Sequence, residues 1–213
     1  MNHADTSADA VTAQILNRAS GARVIWDFDG VVAHTEPLHE DSYRELATRR
    51  HYRFADDFFS ELVGNTEDWI WHRVIDRGFP AGTDEIKELH AERGVVVAEV
   101  ARAGLQPSWI ASRLMPELAG VAVQQTVVSN GDPDLIEELL KLWRLDGFVT
   151  VARRGPGEDK EALFRSNCVS PCVVLEDSDY YLDIGRQLGA FTVGVRHSHN
   201  SRAALPADLT TSL

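Results

Sequence analysis

Two aspartates one residue apart, Asp27 and Asp29, lie between an apolar run and a glycine in Val24-Ile25-Trp26-Asp27-Phe28-Asp29-Gly30-Val31. The run reads as a strand over residues 23–28. Side chains alternate along a strand, so both carboxylates leave on one face while Trp26 and Phe28 take the other. Two unshielded carboxylates at that spacing repel each other unless a cation or a proton intervenes. In an open parallel sheet the carboxyl ends of the strands are where ligands bind. A metal site with a reaction attached accounts for the pair; two acids capping the next turn are the plainer alternative, and the rest of the chain argues against it.

Two more polar groups end apolar runs in the same manner, and a lysine closes a polar loop. Ser129-Asn130-Gly131 closes a strand expected over 124–128, and Glu176-Asp177 closes one over 172–175. Lys160 ends the polar loop Arg153-Arg154-Gly155-Pro156-Gly157-Glu158-Asp159-Lys160. Taken singly, a serine or an acidic pair at a strand end is a helix cap, and a loop lysine is solvated. Taken in order, they gather at one edge of one inferred sheet, which independent caps would not require. Phosphate monoesters resist attack because their oxygens are already negative; a catalyst must neutralise them, align a nucleophile and protonate the leaving alcohol. Asp27 suits the nucleophile, forming an aspartyl-phosphate, and Asp29 the acid that becomes a base. Ser129 can donate to a phosphate oxygen, joined by backbone amides after Asp27. Mg²⁺ prefers oxygen ligands and keeps several waters. One carboxylate oxygen of Asp27, the backbone carbonyl of Asp29 and Asp177, assisted by Glu176, would suffice. With four acids in one pocket, the metal and Lys160 are both needed to balance charge.

Asp-Phe-Asp-Gly-Val followed by Thr35-Glu36-Pro37-Leu38-His39 resembles the first motif of the haloacid dehalogenase (HAD) superfamily, in the branch that holds β-phosphoglucomutase and phosphoglycolate phosphatase. Ser129 matches the second motif of that family, and the resemblance extends over residues 23–195. It implies a helical cap inserted after the first strand. It also implies the nucleophile at Asp27, the acid/base at Asp29, Mg²⁺ with Asp177 as the firmer acidic ligand, and a small phosphorylated metabolite as substrate. Gly30 and Asn130 would then lie beside the phosphate, and Gly64-Asn65-Thr66-Glu67-Asp68-Trp69 is similar to the cap segment that helps choose the substrate. In β-phosphoglucomutase a positive charge there helps hold a second phosphate. Glu67 stands at that position, which favours a phosphatase over a mutase, although Arg73 or Arg77 could take over. The chain departs from the family in having Glu161-Ala162 after Lys160 where prolines are common, His34-Thr35-Glu36 where Asp-Thr/Ser-Glu is common, and Tyr181-Leu182 and Ile184-Gly185 after the acidic pair. The rival readings are a phosphosugar mutase and, of another class, a phosphate-binding or receiver-like module without turnover. A dehalogenase would not need Asp29, and a phosphonatase wants a cap lysine, where Lys87 stands among surface charges.

The elements that must position these residues alternate strand and helix outside the insertion. The expected architecture is therefore α/β, a doubly wound, parallel, five-stranded Rossmann-like core over 1–34 and 105–213, with a helical cap over 35–104. Cap helices are expected over 37–50, 55–63, 66–77 and 83–103, the last interrupted at Arg93-Gly94 and continuing through the β-branched Val95-Val96-Val97. Trp69 and Trp71 are expected in the cap core rather than on a ligand. In the core, Ser108 should cap a helix over 109–118 with Pro116 at its end. A helix over 132–143 and strands over 148–152 and 191–195 follow. Residues 1–21 read as a loosely docked extension with a weak helical run from Asp9 to Ala19, and the end of the chain, with His197 and His199, as a solvated tail.

At 213 residues with 44% hydrophobic content the chain can bury a sizeable core. A net charge of −12 opposes encounter with nucleic acid or an anionic membrane and leaves small molecules as the expected partners. No apolar run approaches the roughly 20 residues of a membrane span, and the first residues lack a signal-peptide pattern, so a cytoplasmic location is expected. Cys168 and Cys172 have no second pair to complete a zinc set and read as packing residues. The Gly155/Gly157 loop lacks phosphate-loop spacing. Nothing in the sequence sets an oligomeric state.

Overall fold

The computed structural model describes residues 8–55, 58, 67–198, 200 and 205–213. They fall in two compact units, Met1–His34 with Gln106–Leu213, and Thr35–Leu105. In chain order the elements are α1 (Ala8–Ala19), β1 (Arg23–Trp26), α2 (Glu36–Arg49), α3 (Glu67–Asp76), a short 3₁₀ turn (Thr83–Glu85), α4 (Ile86–Gly104), α5 (Trp109–Leu118), β2 (Gln124–Val127), α6 (Pro133–Leu142), β3 (Thr150–Val151), α7 (Lys160–Asn167), β4 (Cys172–Glu176), α8 (Asp179–Gln187), β5 (Phe191–Arg196) and β6 (Leu209–Ser212).

The first unit is an α/β core. Among the described residues its sheet has six strands in the order β3-β2-β1-β4-β5-β6, every pair parallel. β1 lies at the centre because Val24, Ile25 and Trp26 are apolar on both faces and all three are buried. Trp26 pairs with Val127 on one side and Leu175 on the other. Chain order reverses between β1 and β4, and this is the crevice where open α/β sheets bind ligands. The Trp26 indole N–H donates to Gln125 Oε1 at 3.1 Å, and the Gln125 amide donates to the carbonyls of Met115 and Phe148, so this buried polar pair is satisfied.

Two expectations at the ends of the chain are corrected. The sheet has a sixth strand where a solvated tail was expected. β6 pairs parallel with β5, its Thr210 and Thr211 are β-branched, and Thr211 is buried. Of residues 1–21, those described, 8–21, are not a loose extension either. Val11, Ile15 and Ala19 recur every fourth residue, all are buried, and α1 contacts α5, β4 and β6.

Caps fix the helices that follow the strands. Ser108 Oγ accepts from Ala111 N at 3.0 Å to start α5, and Pro116 lies in the last turn of that helix, near the end where it was expected. Asp132 Oδ1 accepts from Asp134 N at 2.9 Å ahead of Pro133, and Ile136, Leu139 and Leu140 of α6 are buried. Cys168 and Cys172 are both free thiols buried with Phe164 and Ile25, as packing residues should be.

The second unit, considered alone, is helical. Tyr43, Leu46, Phe54, Phe58, Trp71, Val74, Phe79 and Leu89 form its core, with Phe54 and Phe58 stacked at 4.8 Å. Trp71 is fully buried, but Trp69 is 44% exposed, so only one of the two tryptophans is core. α4 runs through Val95-Val96-Val97 without a break at Arg93-Gly94. Arg93 is buried there, 4.2 Å from the Tyr43 ring centroid, with its guanidinium donating to Glu67 Oε1 at 3.1 Å and lying 2.9 Å from His39 Nδ1. Most of the helix expected over 55–63, and Gly64-Asn65-Thr66, lie outside the described residues.

Candidate active site

Asp27 directly continues β1, its N–H donating to Leu175 O at 2.9 Å, so the strand delivers its carboxylate at the carboxyl edge beside β4. That carboxylate is buried. Its Oδ1 accepts from Phe28 N at 2.7 Å and from Lys160 Nζ at 2.9 Å. Lys160 is held at the start of α7 by Asp159, whose Oδ1 accepts from Ala162 N at 2.8 Å. Its ammonium, on a residue only 5% exposed, also donates to Glu176 Oε1 at 2.7 Å and stands 4.2 Å from the centre of the Tyr181 ring. Glu176 is wholly buried at the end of β4, and its Oε2 accepts from the N–H groups of Asp177 and Ser178, both at 3.0 Å. One lysine is thus clamped between two acids from adjacent strands.

Asp29, the second acid of β1, accepts from Ser129 Oγ at 3.3 Å, and that hydroxyl in turn accepts from Gly131 N at 2.9 Å. The ends of β1 and β2 are thereby joined through one serine. Asn130 is exposed, and its carbonyl accepts from Arg154. Gly30 has φ +70°, and its N–H donates to Ala33 O at 2.8 Å, so that amide is already used within the turn. A Cβ on Gly30 would stand 2.5 Å from Asp177 Oδ2, which makes the position steric rather than an amide donor. Arg73 is exposed on α3 in the other unit, and Thr66 falls outside the described residues.

The charge balance of this edge asks for a cation. Burial pushes the Asp27 carboxyl well above its usual range, Glu176 pushes it further, Lys160 opposes, and Asp29 and Asp177 add to the rise. Burial by itself would lower the Lys160 ammonium, but Asp27 and Glu176 overcome this and hold it above its ordinary value. One ammonium therefore faces an excess of carboxylate. Asp27, Glu176 and Asp177 each bring a ligand oxygen within 4.8 Å of the others. An all-oxygen, anionic donor set of this kind fits Mg²⁺, a hard cation.

His197 and Tyr181 belong to this neighbourhood, although neither has a place in the site as read from sequence, where His197 falls in a solvated tail and Tyr181 is only a departure from the family pattern. His197 is buried, with Nε2 2.8 Å from Asp177 Oδ2, which corrects its assignment to a solvated tail; His199 lies outside the described residues. A histidine just past an apolar strand was the available signal, but its partner is 20 residues away on another strand.

Scans against family models and curated proteins found no match. Solved structures do match. A haloacid dehalogenase-like family protein, SP0104 from Streptococcus pneumoniae, aligns over 90% of this chain and 93% of its own with a TM-score of 0.69 at 12% identity. CbbY from Rhodobacter sphaeroides, solved with phosphate, aligns over 89% and 92% with a TM-score of 0.68 at 18% identity. β-Phosphoglucomutase from Clostridium difficile aligns over 90% of both chains with a TM-score of 0.59 at 18% identity. The chain has the haloacid dehalogenase-like fold, a Rossmann-like α/β core with a helical insertion.

Proposed function

We propose that the protein is a Mg²⁺-dependent phosphatase acting on a small phosphorylated metabolite through an aspartyl-phosphate at Asp27. The observation that carries this reading is the clamp of Lys160 between Asp27 and Glu176, at 2.9 and 2.7 Å, on a strand edge that also holds Asp29, Ser129 and Asp177. A buried acid already set against a fixed ammonium suits a nucleophile that must approach an anionic phosphate. The haloacid dehalogenase-like fold and the phosphate held by CbbY support the same chemistry.

In the first step a carboxylate oxygen of Asp27 attacks phosphorus, the bond from phosphorus to the leaving oxygen breaks, and Asp29 gives that oxygen its proton. In the second, Asp29 takes a proton from water, the water oxygen attacks phosphorus, and the bond to Asp27 breaks to release inorganic phosphate. Ser129, already oriented by Gly131 N–H, donates to a phosphate oxygen, and Lys160 offsets charge beside Asp27. Asp27 and Asp177, with the Asp29 carbonyl, would hold Mg²⁺, assisted by Glu176, whose oxygens also take Lys160 and the turn after β4. The metal, when bound, supplies positive charge toward the phosphate oxygens.

A mutase is the second reading, favoured by one feature. Arg93 brings a buried cation to Glu67, the position at which a positive charge was missing from the sequence. Phosphate release from an aryl phosphate and a panel of sugar and metabolite phosphates, with Mg²⁺ or chelator, tests the proposal. Release is expected only with metal, and Asp27→Asn is expected to lower it to background. Isomerisation of β-glucose 1-phosphate without net phosphate release would select the mutase; activity surviving in Asp27→Asn would remove Asp27 from the chemistry.

A further inference from the structure

Asp177 is held by a residue from a different strand. His197 follows β5, its side chain is 3% exposed, and its Nε2 lies 2.8 Å from Asp177 Oδ2. A carboxylate only accepts, so it is the Nε2 proton that is shared. Asn200 locks this arrangement: its Oδ1 accepts from His197 N at 2.8 Å, while its amide donates to Asp177 O at 3.0 Å and Val195 O at 2.9 Å. One asparagine therefore ties the turn after β4 to the turn after β5. The His34 ring lies 5.6 Å from the His197 ring. From the end of β1, Gly30 leaves the space in which the two side chains meet, since a Cβ there would be 2.5 Å from Asp177 Oδ2 and 2.8 Å from His197 Nε2. Three strand ends converge on one acid, and no proton or phosphate transfer proposed above uses the imidazole.

We propose that His197 is a positioning residue of the metal site. It holds Asp177 through Oδ2 so that the carboxylate is oriented before the cation arrives and can offer its other oxygen, with Asn200 and Gly30 supporting the geometry. The inference rests on the metal site of the proposed phosphatase. Partners behind a ligating group lower the cost of ordering it and strengthen its bond, and losing one weakens metal affinity by about 10–100-fold. A histidine that only filled space would have no such effect.

Mg²⁺ binding to the full chain, followed by calorimetry without substrate, separates these cases. His197→Phe keeps a ring but removes the donor; His197→Asn stays polar but stops short of Asp177; His197→Gln restores an N–H at the same reach. Phe and Asn are expected to weaken Mg²⁺ binding by about 10–100-fold, and Gln to return it to within a few-fold of wild type. Thermal melting of each variant identifies any that fails to fold, and the Phe and Asn variants stress the fold in opposite ways. Wild-type affinity in a folded Phe or Asn variant would overturn the assignment, as would a Gln variant as weak as Phe. If the wild type takes up no Mg²⁺, the metal site itself is wrong, a result distinct from an unchanged variant.

Discussion

Without the Lys160 ammonium, the buried carboxylates of Asp27 and Glu176 would face each other across the space it fills. Breaking a buried ion pair by removing one partner costs about 3–5 kcal/mol. Lys160→Met is expected to lower unfolding free energy in urea by that order, measured with chelator present. Lys160→Met with Glu176→Gln should cost less than the sum of the single changes by at least about 0.5 kcal/mol, because Lys160→Met alone leaves two buried carboxylates facing each other and the double change removes one of them. Strict additivity would show that the two groups do not interact. Asp27 and Glu176 were readable because each stands at the end of an apolar run, Lys160 because it closes a polar loop between two such runs, and strand alternation placed Asp27 and Asp29 together. Their pairing was not readable. Nothing in the spacing between Lys160 and Glu176 says that one carboxylate oxygen takes the ammonium while the other closes the turn onto Asp177 and Ser178. His197 was missed for the same reason, since its bond is made only once β4 and β5 lie side by side.

The strands that carry the site were readable, and so was β3 at one rim of the sheet, expected over 148–152 and found at Thr150–Val151; β6, at the other rim, was not. β1, β4 and β5 are short apolar runs with polar residues at their ends. β6 is four residues with the composition of a loop, and only its backbone pairing with β5 defines it. α1 has a sparse apolar stripe that becomes informative once β4, β6 and α5 are there to receive it. Ile15 is fully buried in that stripe. Ile15→Ala is expected to cost about 2–5 kcal/mol in denaturant unfolding, the range for truncating a packed core residue. A loss under about 0.5 kcal/mol, typical of surface substitutions, would restore the view of α1 as an appendage. Arg93 shows the opposite error. An Arg-Gly pair looks like a helix break, yet packing against Tyr43 and pairing with Glu67 carry α4 straight through it.

For the chain as a whole, the acids gathered at the strand ends are part of a net charge of −12, and a cation that binds only the folded state should stabilise it. At a free Mg²⁺ concentration 100 times the dissociation constant the gain is about 2.7 kcal/mol. The urea midpoint should therefore rise with Mg²⁺ and fall with chelator, and Asp177→Asn should flatten this response. An equal response in that variant would place the cation elsewhere. Among the described residues no helix is long and apolar enough to cross a membrane. The covalent step at Asp27 can be trapped. An aryl phosphate carries a good leaving group that needs no acid, whereas attack by water needs the base, so Asp29→Asn should pass the first step and stall at the second. The variant, mixed with aryl phosphate and Mg²⁺, is expected to release about one equivalent of aryl alcohol per chain in a burst and then stop. Borohydride reduction of the quenched protein should convert Asp27 to homoserine, read by peptide mass. A burst without modification at Asp27, or reduction at another acid, would contradict the aspartyl-phosphate mechanism.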